Sequence, residues 1–417
     1  MRVSRVVVKN FRNYKDAALD LSDGRNILIG ENAQGKTNLL EAIELIACGR
    51  SDRASNDREL VLRGESEALI EVSYHSAGYS ETASLILTAG DRMSRKAKIN
   101  GVSQPAGKKF AARLTTVSFK ASDLNLLRGG PKFRRDWLDQ LVCKLKNSHI
   151  DLTARYDKIV QQRNKLLKTF FEKGSVGPSG LDELRVWDRQ LAQYGSQIIK
   201  HRVHALALAL PLAEDYQASI SGNREKLTAQ YIFKQVESDT DSQSSSMSVE
   251  RASEKESLGI DELKLMPLED LAQLLLAQLK SRRQEEIVRK QSLSGPHRDD
   301  VSFALNDFVA SSYASQGQQR SLVLALKLAE LKLVSDRLEE PPLLLLDDVL
   351  AELDLSRQGM LMQLVETGMQ TLITTTDLDG FRSEWLNGAK VVAVHAGQIL
   401  SDKVNQEKLA DPGLQSD

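Results

Sequence analysis

Cysteine is nearly absent from this chain. Cys48 and Cys143 are the only two, far apart and with no neighbour at a metal-ligand spacing. A disulfide framework and a thiolate zinc site are therefore excluded, and a reduced, cytosolic setting is expected in which both thiols serve as buried packing. No apolar run approaches the ~20 residues needed to cross a bilayer. The valines 6–8 suit a strand, not the apolar stretch of a signal peptide. No membrane partner is expected. An excess of charge is missing too: 56 Lys and Arg against 57 Asp and Glu leave a formal net charge of −1. Without a global field, any contact with nucleic acid must come from a local patch. The 417 residues, 41% of them hydrophobic, are enough for one large or two moderate domains.

What is present begins at Gly30. The run Gly30-Glu31-Asn32-Ala33-Gln34-Gly35-Lys36-Thr37 matches G-x-x-x-x-G-K-[ST]. Its glycines let the backbone curl so that several N–H groups face one anion. Lys36 then meets the β/γ-phosphates as a point charge, and the Thr37 hydroxyl completes a Mg²⁺ shell. Context supports the match. Asn26-Ile27-Leu28-Ile29 reads as a strand feeding the loop, Leu39, Ala42, Ile43 and Ile46 recur at helical spacing behind it, and Gly49 sits where a C-cap belongs.

About 300 residues later, Pro341-Pro342-Leu343-Leu344-Leu345-Leu346-Asp347-Asp348 reads as a buried parallel strand ending in two carboxylates. The end of such a strand is where a Mg²⁺-directed acid belongs, which makes Asp347 the metal-side candidate and Asp348 the residue to polarise an attacking water. Between the two lies Ala314-Ser315-Gln316-Gly317-Gln318-Gln319-Arg320, ahead of an unbroken helical pattern from Leu322 to Val334. Ser315 is a plausible N-cap, and the free N–H groups behind it form a second anion site. One ATP cannot easily use both helix starts within a subunit, so the economical arrangement places the second one across a dimer.

The phosphate loop, the Ser315-Gln316-Gly317-Gln318 signature, the Asp347-Asp348 strand end and the following Ala351-Glu352-Leu353-Asp354 resemble the ABC-type ATPases. Asn10-Phe11-Arg12-Asn13-Tyr14, Arg134-Arg135…Leu138-Asp139, Gln162-Arg163-Asn164 and Gly295-Pro296-His297-Arg298-Asp299-Asp300 narrow the resemblance to the RecF family of bacterial DNA-repair proteins, over roughly residues 1–400. That resemblance implies an ATP- and Mg²⁺-dependent homodimer in which each signature caps the partner's γ-phosphate, with Asp354 in the D-loop and Thr376 at the switch position. It also implies a clamp on duplex or gapped DNA. Slow hydrolysis would reset the clamp, RecO and RecR would be partners in loading RecA during DNA damage and the SOS response, and the setting would be cytoplasmic and nucleoid-associated. The chain departs from the family at Lys120-Ala121-Ser122-Asp123-Leu124, where relatives usually show Ser-Pro-Glu-Asp. It departs again at Thr374-Thr375-Thr376-Asp377, where many ABC ATPases carry a histidine, and at Asp348, where many have Glu. A threonine cannot take a positive charge, so the departures point to a timer rather than a motor.

The best local cationic patch is Arg128-Gly129-Gly130-Pro131-Lys132-Phe133-Arg134-Arg135, whose Arg forks suit phosphate oxygens. Arg128, Lys132, Arg134 and Arg135 are therefore the candidate DNA contacts. Leu184, Trp187, Leu191, Tyr194 and Ile198 form a heptad seam, with Leu152, Tyr156, Ile159 and Leu166 on the facing helix. His297, with no second His or Cys near it in sequence, is expected to be a hydrogen-bonded structural group. The expected architecture is α/β: an ABC-type ATPase lobe from residues 1–112 and 294–402, and an inserted, mainly helical arm lobe over 113–293. Within it, 237–257 is expected to be disordered, with a single helix near 262–292, and 403–417 to be a polar tail. Two other readings remain open: a transporter-type ABC subunit, and a nucleotide-dependent scaffold without direct DNA contact.

Overall fold

The computed structural model describes residues 1–400 except 77, 91–92, 106–109, 111–112, 175–176, 234–257, 339, 351–352, 366–367 and 380. The segment 237–257 and the tail 403–417 lie outside the described residues. The chain divides into two compact units, residues 1–123 with those from 330 onward, and residues 124–329.

In chain order the strands of the first part are β1 (Arg2–Phe11), β2 (Tyr14–Asp20), β3 (Arg25–Ile29), β4 (Glu67–Ser76), β5 (Tyr79–Ala89), β6 (Met93–Ile99), β7 (Val102–Gln104) and β8 (Thr116–Lys120). The second unit holds β9 (Leu227–Ile232), β10 (Asp300–Leu305) and β11 (Phe308–Val309). The chain then returns to the first with β12 (Leu343–Asp347), β13 (Thr371–Thr375), β14 (Lys390–His395) and β15 (Gln398–Leu400).

Two six-stranded sheets build the first unit. The order β2-β1-β4-β5-β6-β7 is antiparallel throughout, and β4 alternates buried and accessible residues as a half-buried strand should. The second sheet runs β15-β14-β3-β13-β12-β8, with β14, β3, β13, β12 and β8 parallel. Leu343, Leu344, Leu345 and Leu346 are all buried, as expected of a parallel strand covered on both faces. The helix Lys36–Cys48 buries Leu39, Ala42, Ile43 and Ile46 and ends at Gly49 in the left-handed conformation, φ 71°. One hydrophobic core joins this helix to both sheets.

The second unit is mainly helical. The helices Ser148–Lys173 and Pro178–Ser221 pack along the expected seam: Leu152, Tyr156, Ile159, Leu191 and Ile198 share one cluster, flanked by Trp187 and Tyr194. Leu167, Phe170 and Leu184 form a second cluster. Leu279 joins the first from a third helix, Leu268–Ser281. That segment is three helices rather than one. Ile260–Leu265 stops before Pro267, and Arg283–Arg289 follows and is closed by Lys290 at φ 56°. A three-stranded sheet β11-β10-β9 completes the unit.

The units divide at other residues than the sequence led us to expect. Residues 116–120 belong with the parallel sheet of the first unit, because β8 pairs with β12 from Leu343↔Thr116 to Asp347↔Lys120. Residues 294–329 belong with the helical unit, because β10 pairs with β9 in register from Asp300↔Ile232 to Leu305↔Leu227. Both thiols are half-buried rather than fully buried, and neither is in a disulfide.

Candidate nucleotide site

The loop 30–37 is tied down on every side by its own unit. The Gly30 N–H donates to the Thr375 carbonyl (3.2 Å), and a Cβ on Gly30 would run into the Val394 carbonyl oxygen. Gly35 caps the following helix at φ 119°, where a Cβ would stand 2.8 Å from both the Asn13 amide and the Tyr14 hydroxyl. Gly30 accepts only glycine by sterics, and Gly35 by sterics and by φ. Ala33 between them also lies at positive φ, 64°. The Asn13 side chain donates to the Gln34 carbonyl (2.9 Å) and accepts from the Asn38 amide (2.8 Å). On the far side the Ala396 N–H donates to Gln34 Oε1 (2.5 Å), and the Gly397 N–H donates to the Gln34 carbonyl (2.9 Å).

The helix behind the loop has no side-chain N-cap and no acid in its first turn. The positive end of its dipole therefore remains available to an anion. Lys36 is buried and donates from Nζ to the carbonyls of Gly30 (2.6 Å) and Glu31 (3.0 Å), which holds its ammonium across the loop. Glu31, Asn32 and Ala33 are exposed at the loop's crest.

The acids meet the loop through hydroxyls. Thr37 Oγ1 donates to Asp347 Oδ1 (2.7 Å), and Thr374 Oγ1 donates to the same oxygen (2.9 Å). The Asp348 N–H donates to Thr374 Oγ1 (2.9 Å), and Asp348 itself is left-handed, φ 55°. A hydroxyl and a carboxylate in contact form the hard-oxygen set that Mg²⁺ takes alongside phosphate oxygens, so these residues fit that ion. Two cationic groups stand near. Arg12 grips Glu41 with Nε (2.8 Å) and Nη2 (2.5 Å), and Lys120, in register with Asp347, pairs with Glu44 (2.6 Å) and Asp52 (3.5 Å). Burial alone would lower the Lys120 pKa, but Glu44 and Asp52 outweigh it and hold the group above its usual value. The Lys120 end of β8, one of the expected departures from the family pattern, is therefore ion-paired.

Sequence reasoning missed Asn13 and Thr374. Asn13 was available, since it sits inside the Asn10–Tyr14 motif. Thr374 was hidden among three threonines. Thr376, the expected switch residue, is exposed and its hydroxyl reaches the Asp377 carboxylate (3.3 Å), whereas Thr374 faces the acids. Asp354 accepts from the Arg357 N–H (2.9 Å) and so caps the helix Leu355–Val365; residues 351–352 of the D-loop lie outside the described residues.

The signature belongs to the second unit. Ser315 Oγ accepts from the Gln318 N–H (3.3 Å), and Gln318 Oε1 accepts from the Ser315 N–H (2.8 Å), a reciprocal capping box at the head of the helix Gln316–Arg337. Gln318 Nε2 also donates to Glu225 (2.9 Å). Ser315, Gln316 and Gly317 are exposed.

Much of the cationic patch expected to contact DNA is hydrogen-bonded within its own unit. Arg134 makes a two-pronged pair with Asp300 (2.7 and 2.9 Å) and donates to the carbonyls of Leu126 and Gly129. Arg135 donates to the Asp299 carbonyl (2.7 Å), and Arg128 Nε donates to Gln319 (2.7 Å). The partners involved, the Asp299 carbonyl and the Asp300 carboxylate, come from far along the chain, so local sequence could not reveal them. Lys132 remains exposed, and Arg128 keeps an exposed side chain.

The other motifs behave alike. Arg163, fully buried, binds Asp188 (2.8 Å), Glu286 (2.6 Å) and Ser292 (2.9 Å), and Arg202 binds Asp139 with both prongs at 2.7 Å. His297 Nδ1 meets the Tyr156 hydroxyl (2.7 Å) and Nε2 meets the Ser292 carbonyl (3.2 Å). Burial pushes its pKa down to about 4, and the cations Arg298, Arg135 and Arg163 act in the same direction, so it is a neutral, hydrogen-bonded structural group. Among the described residues no group of three or more His, Cys, Asp or Glu is placed to hold a metal ion, and no helix is long and apolar enough to cross a membrane.

Residues 2–397 match the family model of the RecF/RecN/SMC N-terminal domain. The DNA replication and repair protein RecF of Microcystis aeruginosa (strain NIES-843 / IAM M-2473) is 41% identical over 406 residues, covering 96% of this chain and 100% of the relative. The chain belongs to the RecF family. Its fold agrees. A solved structure of the recombination mediator protein RecF-ATP in the RecFOR pathway superposes with a TM-score of 0.80 at 28% identity, covering 96% of this chain and 97% of that one. The RecF-ATPrS structure of the same pathway gives 0.79 at 30% identity, with 95% and 97% covered. The architecture is thus the ABC/SMC-type ATPase fold of RecF structures.

Proposed function

We propose that the loop 30–37 binds ATP and that this chain acts as an ATP-switched DNA-binding protein of recombinational repair. The observation that carries the reading is the contact between Thr37 and Asp347 beneath a loop whose two glycines admit no side chain. The solved relatives named with ATP and ATPrS support the choice of nucleotide. Backbone N–H groups of the loop and Lys36 hold the phosphates, with Lys36 turning from the Gly30 and Glu31 carbonyls to the β/γ-phosphates. Thr37 and Asp347 would hold Mg²⁺, which would draw charge from the phosphate oxygens. Asp348 orients the attacking water, and its short side chain fits slow turnover.

The exposed Ser315-Gln316-Gly317 helix start serves a second copy of this chain, capping the partner's γ-phosphate; Asp354 and Thr376 contribute from the D-loop and switch positions. ATP adds contacts found only in that dimer and so selects it. The dimer closes on duplex or gapped DNA and works with RecO and RecR to promote RecA loading in the cytoplasm at the nucleoid, and hydrolysis reopens it.

The consumption of Arg134 and Arg135 favours a second reading, a nucleotide-dependent scaffold whose DNA contacts are supplied by partner proteins. One experiment separates the two: duplex and gapped DNA binding by Asp348→Asn, with and without Mg-ATP, across a salt series. Tight, salt-sensitive binding that needs ATP supports the clamp, and its salt slope counts the phosphate contacts. Absence of binding in both states supports the scaffold.

A further inference from the structure

We infer that Thr374 is a positioning residue for the candidate nucleotide site, setting the orientation of both acids; the inference rests on the ATPase reading above. Thr374 lies on β13, in register with Asp347 of β12 on one side and, on the other, with Leu28 of β3, two residues before the phosphate loop begins at Gly30. It is buried. Its hydroxyl uses both of its capacities on the acid turn. The proton goes to Asp347 Oδ1 at 2.9 Å, and the oxygen accepts from the Asp348 N–H at 2.9 Å.

The two bonds have separate consequences. The first adds a second hydroxyl donor to the oxygen that Thr37 already contacts at 2.7 Å, which fixes the Asp347 carboxylate plane and leaves Thr37 lone pairs to face a cation. The second pins the backbone of Asp348 at φ 55°, a left-handed conformation that a non-glycine residue holds only when its surroundings over-determine it. With that N–H held, the Asp348 side chain leaves the strand end in one direction. Valine has nearly the shape of threonine but neither donates nor accepts, so Thr374→Val removes both bonds while preserving the packing. Serine keeps the hydroxyl and loses only a methyl.

The test uses the full chain as wild type, Thr374→Val and Thr374→Ser. It measures thermal midpoint, the dissociation constant of a fluorescent ADP analogue in EDTA and in Mg²⁺, and ATP turnover. Thr374→Val should bind nucleotide in EDTA as wild type does but lose most of the Mg²⁺-dependent gain in affinity. Its turnover should fall by about tenfold or more, the scale of a misplaced catalytic group. Thr374→Ser should restore both. The inference is overturned if the Val variant keeps the full Mg²⁺ gain and wild-type turnover. It is also overturned if EDTA binding and thermal midpoint fall together, or if Ser fails as Val does, since packing alone would then explain the loss. If the wild type itself binds no nucleotide, the ATPase reading fails first, and that outcome is visible before any variant is compared.

Discussion

In the first unit Lys36 folds onto carbonyls of its own loop, Thr37 and Asp347 touch across 310 residues of sequence, and the helix start between them has no cap of its own. In the second unit Arg163 and Arg202 are saturated by acids, and Arg134 is locked to Asp300. Cations and carboxylates serve in both units, and these uses are opposite. A charged motif whose partners lie inside its own unit is scaffolding, while one whose donors end on weak or temporary partners is prepared for a ligand. Buried ion pairs of the first kind stabilise little in total, but losing one member strands the other in an apolar interior.

Substitutions can break this contrast. The largest effect is expected for Arg163→Met, which leaves Glu286 buried without its cation and Asp188 with Arg283 alone. It should destabilise the chain by about 3–5 kcal/mol in denaturant unfolding. Arg163 is 0% exposed, so solvent cannot take its place. A loss below 1 kcal/mol would mean that the network is slack. Lys36→Ala should act the other way round. Nucleotide affinity should fall by about 10- to 100-fold, the value of a charge-assisted hydrogen bond, with little change in thermal midpoint.

A pH series sharpens the same point. Burial lowers His297 from 6.5 to about 4, so in the window between those values the unfolded chain binds the proton and the folded chain does not. Stability from this group is complete above pH 6.5 and is lost as pH falls toward 4. The denaturation midpoint should therefore drop over that interval, and His297→Gln should flatten the drop. His201, also held down to about 4 by burial and by Lys146, contributes in the same direction. The smallest effect belongs to Lys132→Ala. This exposed residue should leave the thermal midpoint unchanged, and if it touches DNA it should reduce the salt slope by about one.

Much of the first unit was legible because its signals are local. Gly30 and Gly35 frame a short motif, Gly49 closes the helix behind it, and four leucines precede Asp347. The heptad seam from Leu184 to Ile198 was legible for the same reason, since period alone places those residues on one face. What could not be read required pairing between distant segments. β9 and β10 join residues 227–232 to 300–305, and nothing near Asp300 announces that it will neutralise Arg134. The same distance hid β8, whose place beside β12 moved the unit boundary. The alternation of β4 was a readable signal that the motif-led reading passed over. Thr374 was missed because a sequence of three threonines does not say which one turns toward the acids.

The most direct measurement of the central claim is the solution mass of Asp348→Asn with and without Mg-ATP, beside the double variant Asp348→Asn/Ser315→Arg. The account predicts that Mg-ATP doubles the mass of the single variant, and that the double variant binds ATP but keeps the mass of one chain. An Asp348→Asn chain that binds ATP and stays at the same mass would contradict it.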